Sequence, residues 1–240
     1  MPNLPEILGR LQFIGPEALL LGLFITGGTI LVARDWRFLI LALLAQYVLV
    51  GLFLTRLVRT DIAVLTVLVG AFICPILFLS ARQVSISLPT IYDLERRPPV
   101  PGDGWQPWWR NFSVKSFFMG TSRVRRLAAT GLGFRVFVGL LVVLVTLSLS
   151  RSFPLPDLPS TVTTAVYWLV LAGLVTLTLT EDPMKAGHGL FSTLSGFGLF
   201  YITLESSLLL TGLWGTVSLL IALAIGYLTV VRGASPEEEI

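Results

Sequence analysis

This chain of 240 residues contains one cysteine, Cys74, and one histidine, His188. A lone cysteine forms no internal disulfide. One cysteine and one histidine do not complete a zinc site, a bis-ligated haem or an iron–sulfur cluster, so no metal and no bound cofactor is expected. Charge is scarce too: 13% of residues are Asp, Glu, Lys or Arg and 54% are hydrophobic, against roughly 25% charged in soluble domains. Ten-residue strand patterns with alternating polarity are missing, which sets aside an outer-membrane barrel. What the chain has instead is a series of apolar runs of about 17 to 25 residues, the length that crosses a bilayer as a helix. The expected fold is all-α, a polytopic transmembrane helical protein. The N-terminal stretch lacks a basic region followed by a short apolar core and a small-residue cleavage site, so no cleaved signal is expected.

Seven spans are predicted. Residues 1–80 hold a short interfacial segment (Glu6 to Ile14) and three helices, about Glu17 to Ala33, Phe38 to Thr55 and Ile62 to Ser80, the last with a kink at Pro75. Residues 134–231 hold four more, about Phe134 to Leu149, Thr161 to Thr180, Gly187 to Leu213 and Trp214 to Val231, and residues 232–240 form a short acidic tail. With seven spans, four Lys and Arg fall on the N-terminal side and thirteen on the other. The positive-inside rule then places the N-terminus outside and the C-terminus in the cytoplasm.

Between the halves, residues 81–133 read as a basic, aromatic-rich cytoplasmic loop. Up to Arg126 it carries eight Lys and Arg against three acidic residues. Arg96, Arg97, Arg110, Arg123, Arg125 and Arg126 suit anionic lipid headgroups or an acidic partner, and Trp105, Trp108 and Trp109 suit the membrane interface. Nucleic acid is not expected, because the interface explains the aromatics and no recognised nucleic-acid module is present.

The sixth predicted span is unlike the others. It contains Gly187, Gly189, Gly196 and Gly198 mixed with Ser192, Thr193, Ser195, Thr203, Ser206 and Ser207. Small and hydroxylated residues let helix backbones approach closely, so Gly189, Ser192, Ser195, Gly196 and Gly198 are assigned to helix packing. Three residues are candidates for a polar or proton path: Glu205, His188 and Gln46. A carboxylate in hydrocarbon is costly and usually functional. Counted from Gly187, however, Glu205 lies roughly 27 Å along the helix, close to the full hydrocarbon thickness, which favours a place at the far interface. His188 reads either as a relay group or as a boundary histidine touching headgroups or a loop carbonyl. Gln46 reads either as a path residue or as one side of an interhelical hydrogen bond. No Ser–His–Asp set, phosphate-cradling loop or pair of intramembrane carboxylates can be assembled, so no independent catalytic site is expected.

The segment YWLVLAGLVTLTLTEDPMKAGHGLFSTLSGFGLFYITLESSLLLTGLWGTVSLLIALAIGYL resembles the three-helix membrane subunit of complex I (the 4L or K type). It also resembles the C-type subunit of multisubunit cation/proton antiporters and component E of hydrogenase-4-type complexes. A polar turn precedes a Gly-Leu-rich helix at Gly189-Leu190-Phe191, and Phe72-Ile73-Cys74-Pro75 is similar to the family's aliphatic-proline step. The resemblance implies a membrane subunit of a complex-I-like, hydrogenase-like or antiporter-like assembly, with other membrane subunits as partners. Family members that transfer protons have a glutamate near the middle of the Gly-Leu-rich helix. Here that neighbourhood is Leu194-Ser195-Gly196-Phe197-Gly198, so the likeness implies a fold and a place in an assembly, not a proton channel. The alternative is a non-catalytic scaffold that binds lipid or a cytoplasmic partner through the basic loop.

Overall fold

The computed structural model describes residues 15–33, 35–94, 131–156 and 158–234. These residues form seven helices: α1 (Pro16–Val32), α2 (Trp36–Leu57), α3 (Thr60–Leu94), α4 (Leu132–Ser152), α5 (Ser160–Thr178), α6 (Pro183–Leu204) and α7 (Leu208–Ala234). Five segments are long and apolar enough to cross a membrane: α2, Thr60–Gln83 of α3, Gly133–Ser152 of α4, α5, and Leu208–Arg232 of α7. Helix α1 is shorter, at 17 residues, and α6 is diluted by glycines, hydroxyls, Lys185 and His188. The chain is a helical, multi-pass membrane protein.

Helix starts follow local chemistry. Pro16 and Pro183 sit in the first turns of α1 and α6, where a missing N–H leaves nothing unpaired. The Asp182 carboxylate accepts from Met184 N at 3.2 Å, satisfying one of the free donors of that first turn.

Two boundaries differ from the sequence reading. The third helix does not stop at Ser80; it runs through Pro75 and on to Leu94. Polarity marks the end of the apolar window, at Gln83, and not the end of the backbone hydrogen-bond ladder. The segment assigned to a loop over 81–133 is therefore helical for its first 14 residues. Its contact residues, Arg96, Arg97, Trp105, Trp108, Trp109, Arg110, Arg123, Arg125 and Arg126, lie outside the described residues, as do Glu6 to Ile14 and the tail beyond Ala234.

The second difference concerns the glycine-rich stretch, which is not one helix to Leu213. It ends at Leu204, and the chain turns through Glu205, Ser206 and Ser207. Glu205 is extended, at φ −127° and ψ 93°, and Ser207 O accepts from Thr211 N at 3.1 Å to open α7. Leu208 to Leu210 continue the apolar run, which hides this turn from a hydropathy reading.

The helices form two facing rows. Helices α1, α2 and α3 make one, α5, α6 and α7 the other, and α1 packs on α5, α2 on α6 and α3 on α7. Lys185, near the start of α6, reaches the C-terminal carbonyls of α1. Gly187 meets Ile225 near the end of α7, so consecutive helices alternate in direction. Helix α4 lies outside, against α5 and α1; only 11% of its apolar window is buried, against 56% for α2 and α5.

Apolar burial falls into two clusters. One joins Leu19, Leu23, Phe53, Trp168, Leu169 and Leu199; the other joins Ile30, Leu39, Leu43, Ile73, Leu77 and Phe191. Near where they meet stand buried polar residues: Thr26 between Leu23 and Ile30 on α1, Ser192 and Ser195 between Phe191 and Leu199 on α6, and Gln46 on α2 beside Tyr47 of the second cluster. The bundle thus has a polar layer between two apolar ones.

Candidate functional site

Of the three polar-path candidates His188 lies on α6, whose residues divide by face, while Gln46 lies on α2 and Glu205 in the turn after α6. Gly189 and Gly196 meet α5, at Gly173 and Leu169, while Gly187 and Gly198 meet Ile225 and Trp214 of α7. His188, Ser192 and Ser195, spaced by four and three residues, fall on one remaining side, and all three are buried.

The hydroxyls on and around this side are closed onto carbonyls. Ser192 donates across the interface to Leu169 O at 3.2 Å, and Ser195 donates to Phe191 O at 2.7 Å. Thr26 donates to Gly22 O at 3.0 Å, Thr193 to Gly189 O at 3.0 Å, and Thr203 to Leu199 O. A hydroxyl has one proton to donate. With these protons held by the backbone, the layer packs well and offers few mobile donors.

His188 is fully buried among the helices. Its Nδ1 lies 2.7 Å from Met184 O; a carbonyl only accepts, so Nδ1 donates. Nε2 has no hydrogen-bond partner among the described residues. Gln46 is fully buried as well, and neither its amide nitrogen nor its oxygen has a partner among them. Among the described residues the expected interhelical hydrogen bond of Gln46 is therefore not made. The apolar side chains of Leu39, Leu43, Val50 and Phe53 that share its side of α2 have nothing to donate or accept.

A slender crevice opens between α2, α3, α6 and α7. It is lined by Tyr47, Thr66, Ser195, Gly198, Thr211 and Trp214 among others, with about 30 Å³ of room for water-sized molecules. Tyr47 and Ser195 meet in it. Thr66, Thr211 and Ser218 also line it, and each donates back to its own helix, at 3.0, 2.9 and 2.9 Å. A smaller pocket of about 10 Å³ adjoins it, sharing Gly198, Ile202, Thr211 and Trp214 and adding Tyr201, Glu205 and Leu210. Glu205 is exposed there. It stands 17 residues from His188, roughly 25 Å of helix, so the two do not form one local pair. Gln46 neighbours Tyr47 and so sits near the level of Ser195, apart from both.

Lys185 is a feature that the sequence reading left in a polar turn. It is buried, with Nζ 3.1 Å from Leu31 O and 2.7 Å from Ala33 O. A cation is favoured there by the dipole and free carbonyls at the end of α1. The Asp182-Pro183 pair is the signal that would have found it, because an Asp N-cap followed by proline starts the helix two residues before Lys185. Trp168 is a second: its indole donates to Leu23 O at 2.8 Å and its ring stacks on Phe24 at 4.5 Å. Nothing in the local sequence marks that pairing across 145 residues.

Comparison with protein-family models, with curated proteins and with solved structures finds no match. What stands is the class: a helical multi-pass membrane protein, with a close-packed, polar-lined helix inside the bundle and, among the described residues, no group of three or more His, Cys, Asp or Glu able to hold a metal.

Proposed function

We propose that this chain is a structural membrane subunit of a complex-I-like, hydrogenase-like or antiporter-like energy-converting assembly, packed between ion-translocating subunits. The proposal includes seven spans in a bacterial cytoplasmic membrane, with the N-terminus outside. The observation that carries it is the state of α6, the helix on which the family likeness rests most heavily. Its backbone touches that of α5 at Gly173 and Gly189, and the hydroxyls of Ser192, Thr193, Ser195 and Thr203 are bonded to carbonyls. That chemistry suits a rigid packing element more than a line of proton carriers, which needs titratable groups in sequence. The alternation of helix direction supports the topology: Arg37, Arg82, Arg135, Lys185 and Arg232 gather at one end of the bundle and Arg56, Arg59 and Arg151 at the other.

The test is purification of the tagged, full-length protein in mild detergent. Antiporter-like or quinone-reductase-like subunits are expected to accompany it in near-stoichiometric amount. Their absence from the intact assembly would sink the proposal and favour a scaffold that works through its basic loop.

A further inference from the structure

The helices on either side of α4 repeat one another in length, order and direction. Helices α1 and α5 have 17 and 19 residues, and α2 and α6 have 22 each. Asp35 is the N-cap of α2 and Asp182 that of α6. The sixteenth residue of α2 opens the run Gly51-Leu52-Phe53, and the sixteenth of α6 opens Gly198-Leu199-Phe200. These two glycines also have corresponding neighbours. A Cβ on Gly51 would meet Val67 of α3, and one on Gly198 would meet Trp214 of α7, in each case sixteen residues further along the chain. Each glycine thus seats the next helix of its own triplet at one register, which a shared apolar composition does not fix. Phe24 and Trp168, each the ninth residue of the first helix in its triplet, stack on one another at 4.5 Å.

The triplets stand side by side and not face to face. A two-fold pair buries the same side of both members. Here the third and sixth residues of α2, Phe38 and Leu41, are half exposed or more, whereas their counterparts on α6, Lys185 and His188, are buried. Lys185 bonds the α1 carbonyls, so the side of α6 that meets the first triplet is the side that α2 turns outward. Each helix of the first triplet packs on its own counterpart, α1 on α5, α2 on α6 and α3 on α7, as a sideways shift requires.

Parity then accounts for α4. A triplet has an odd number of helices, so its chain finishes at the opposite end of the bundle from its start. A second triplet runs in the same direction only if one further helix carries the chain back. Helix α4 does this: Gly139, in its first half, approaches Leu31 at the Lys185 end of the bundle, and its last turn leads to α5 at the other end. It lies outside both rows with little of its apolar window buried, as expected of a connector and not of a member of either triplet.

We infer that the chain is a tandem fusion of two three-helix membrane units of one kind, α1–α3 and α5–α7, side by side in the same orientation, with α4 as the connector that makes this orientation possible. The contact between the two rows is then a subunit interface held within one polypeptide. The inference rests on the seven crossings and not on any host assembly, so failure of the assembly to co-purify leaves it standing.

In the test, residues 133–152 of the full-length protein are exchanged for a Leu and Ala helix that keeps Arg135, Gly139, Val142, Thr146 and Arg151; a second variant lacks residues 133–152 altogether. A single cysteine replaces the exposed Arg59 in the α2–α3 turn or the exposed Glu205 in the α6–α7 turn, and the buried Cys74 stays in place. A membrane-impermeant thiol reagent is applied to intact cells and to inverted vesicles. In the otherwise native protein and in the exchanged one, both cysteines are expected to react from the same side. The exchange should lower the unfolding midpoint by less than about 4 °C, a small change for a chain of this size. The deletion should abolish labelling from a common side or the accumulation of folded protein, because the second unit would have to enter the membrane inverted. Opposite sides in the otherwise native protein, loss of the fold on exchange as complete as on deletion, or common-side labelling that survives the deletion would each overturn the inference.

Discussion

Gly189 of α6 and Gly173 of α5 lie so close that a Cβ on Gly189 would fall 2.9 Å from Gly173 O, and one on Gly173 would fall 2.6 Å from Gly189 O. Both neighbours are backbone, so neither can step aside. Gly173→Ala is therefore expected to lower stability by about 1–3 kcal/mol, the usual cost of overpacking. Gly28→Ala, where a Cβ meets nothing within 4 Å, is expected to be neutral or slightly favourable through helix propensity. Thermal unfolding of the two variants in one detergent checks this; equal midpoints would show that α5 and α6 are not in backbone contact.

Those glycines show how far the sequence can be read. The density of small residues announces that α6 packs closely, because only small residues permit such approach, and the helical, membrane-embedded class follows from composition. Partner and boundary are another matter. Nothing near Gly189 says that it meets Gly173 and not a glycine elsewhere. The turn at Glu205 is masked because Leu208 onward is as apolar as the helix before it, so hydropathy alone reads one long span. Helix α3 is misjudged in the opposite direction: charge after Ser80 signals departure from the apolar window, yet the ladder continues to Leu94. Lys185 needs both facts together, the helix start at Pro183 and the arrival of the α1 carboxyl end from 150 residues away.

Lys185 is the clearest case of a side chain holding two distant elements together. Its ammonium bonds Leu31 O and Ala33 O, carbonyls that α1 itself cannot satisfy. Lys185→Met keeps the length and apolar stem but removes the donors. A loss of about 1.5–3 kcal/mol is expected, the range for hydrogen bonds to a charged group. Hydrogen exchange should rise first in the last turn of α1 and the turn to α2. If the loss is under about 0.5 kcal/mol and exchange there is unchanged, the lysine is not holding α1.

Glu205 separates the packing role from an ion-path role in the host assembly. It lies in the turn between α6 and α7, exposed, and among the described residues the nearby hydroxyls of Thr203, Thr211 and Ser195 are each bonded to a backbone carbonyl. Glu205→Gln is expected to leave proton-coupled activity of the host complex largely intact, measured as proton uptake into inverted vesicles from cells carrying the variant. Near-complete loss, with the subunit still assembled, would make this carboxylate a working proton carrier and defeat the packing interpretation.

Gln46 is where the energetic argument is sharpest. Its amide is fully buried in the bundle with neither polar atom bonded among the described residues, a situation that costs about 1–3 kcal/mol by mutational measures. An apolar side chain of similar size removes that penalty and adds apolar burial between the two clusters. Gln46→Leu is thus expected to leave stability unchanged or to raise it by about 1–2 kcal/mol. Gln46→Ala, which removes the same penalty but leaves a cavity, should be less stable than Gln46→Leu by about 2 kcal/mol or more. Unfolding of both variants in the same detergent decides the matter. If Gln46→Leu destabilises the protein as much as Gln46→Ala, the amide contributes a hydrogen bond in the membrane, and its place in the layer with Ser192 and Ser195 is that of a bonded member and not of an orphan.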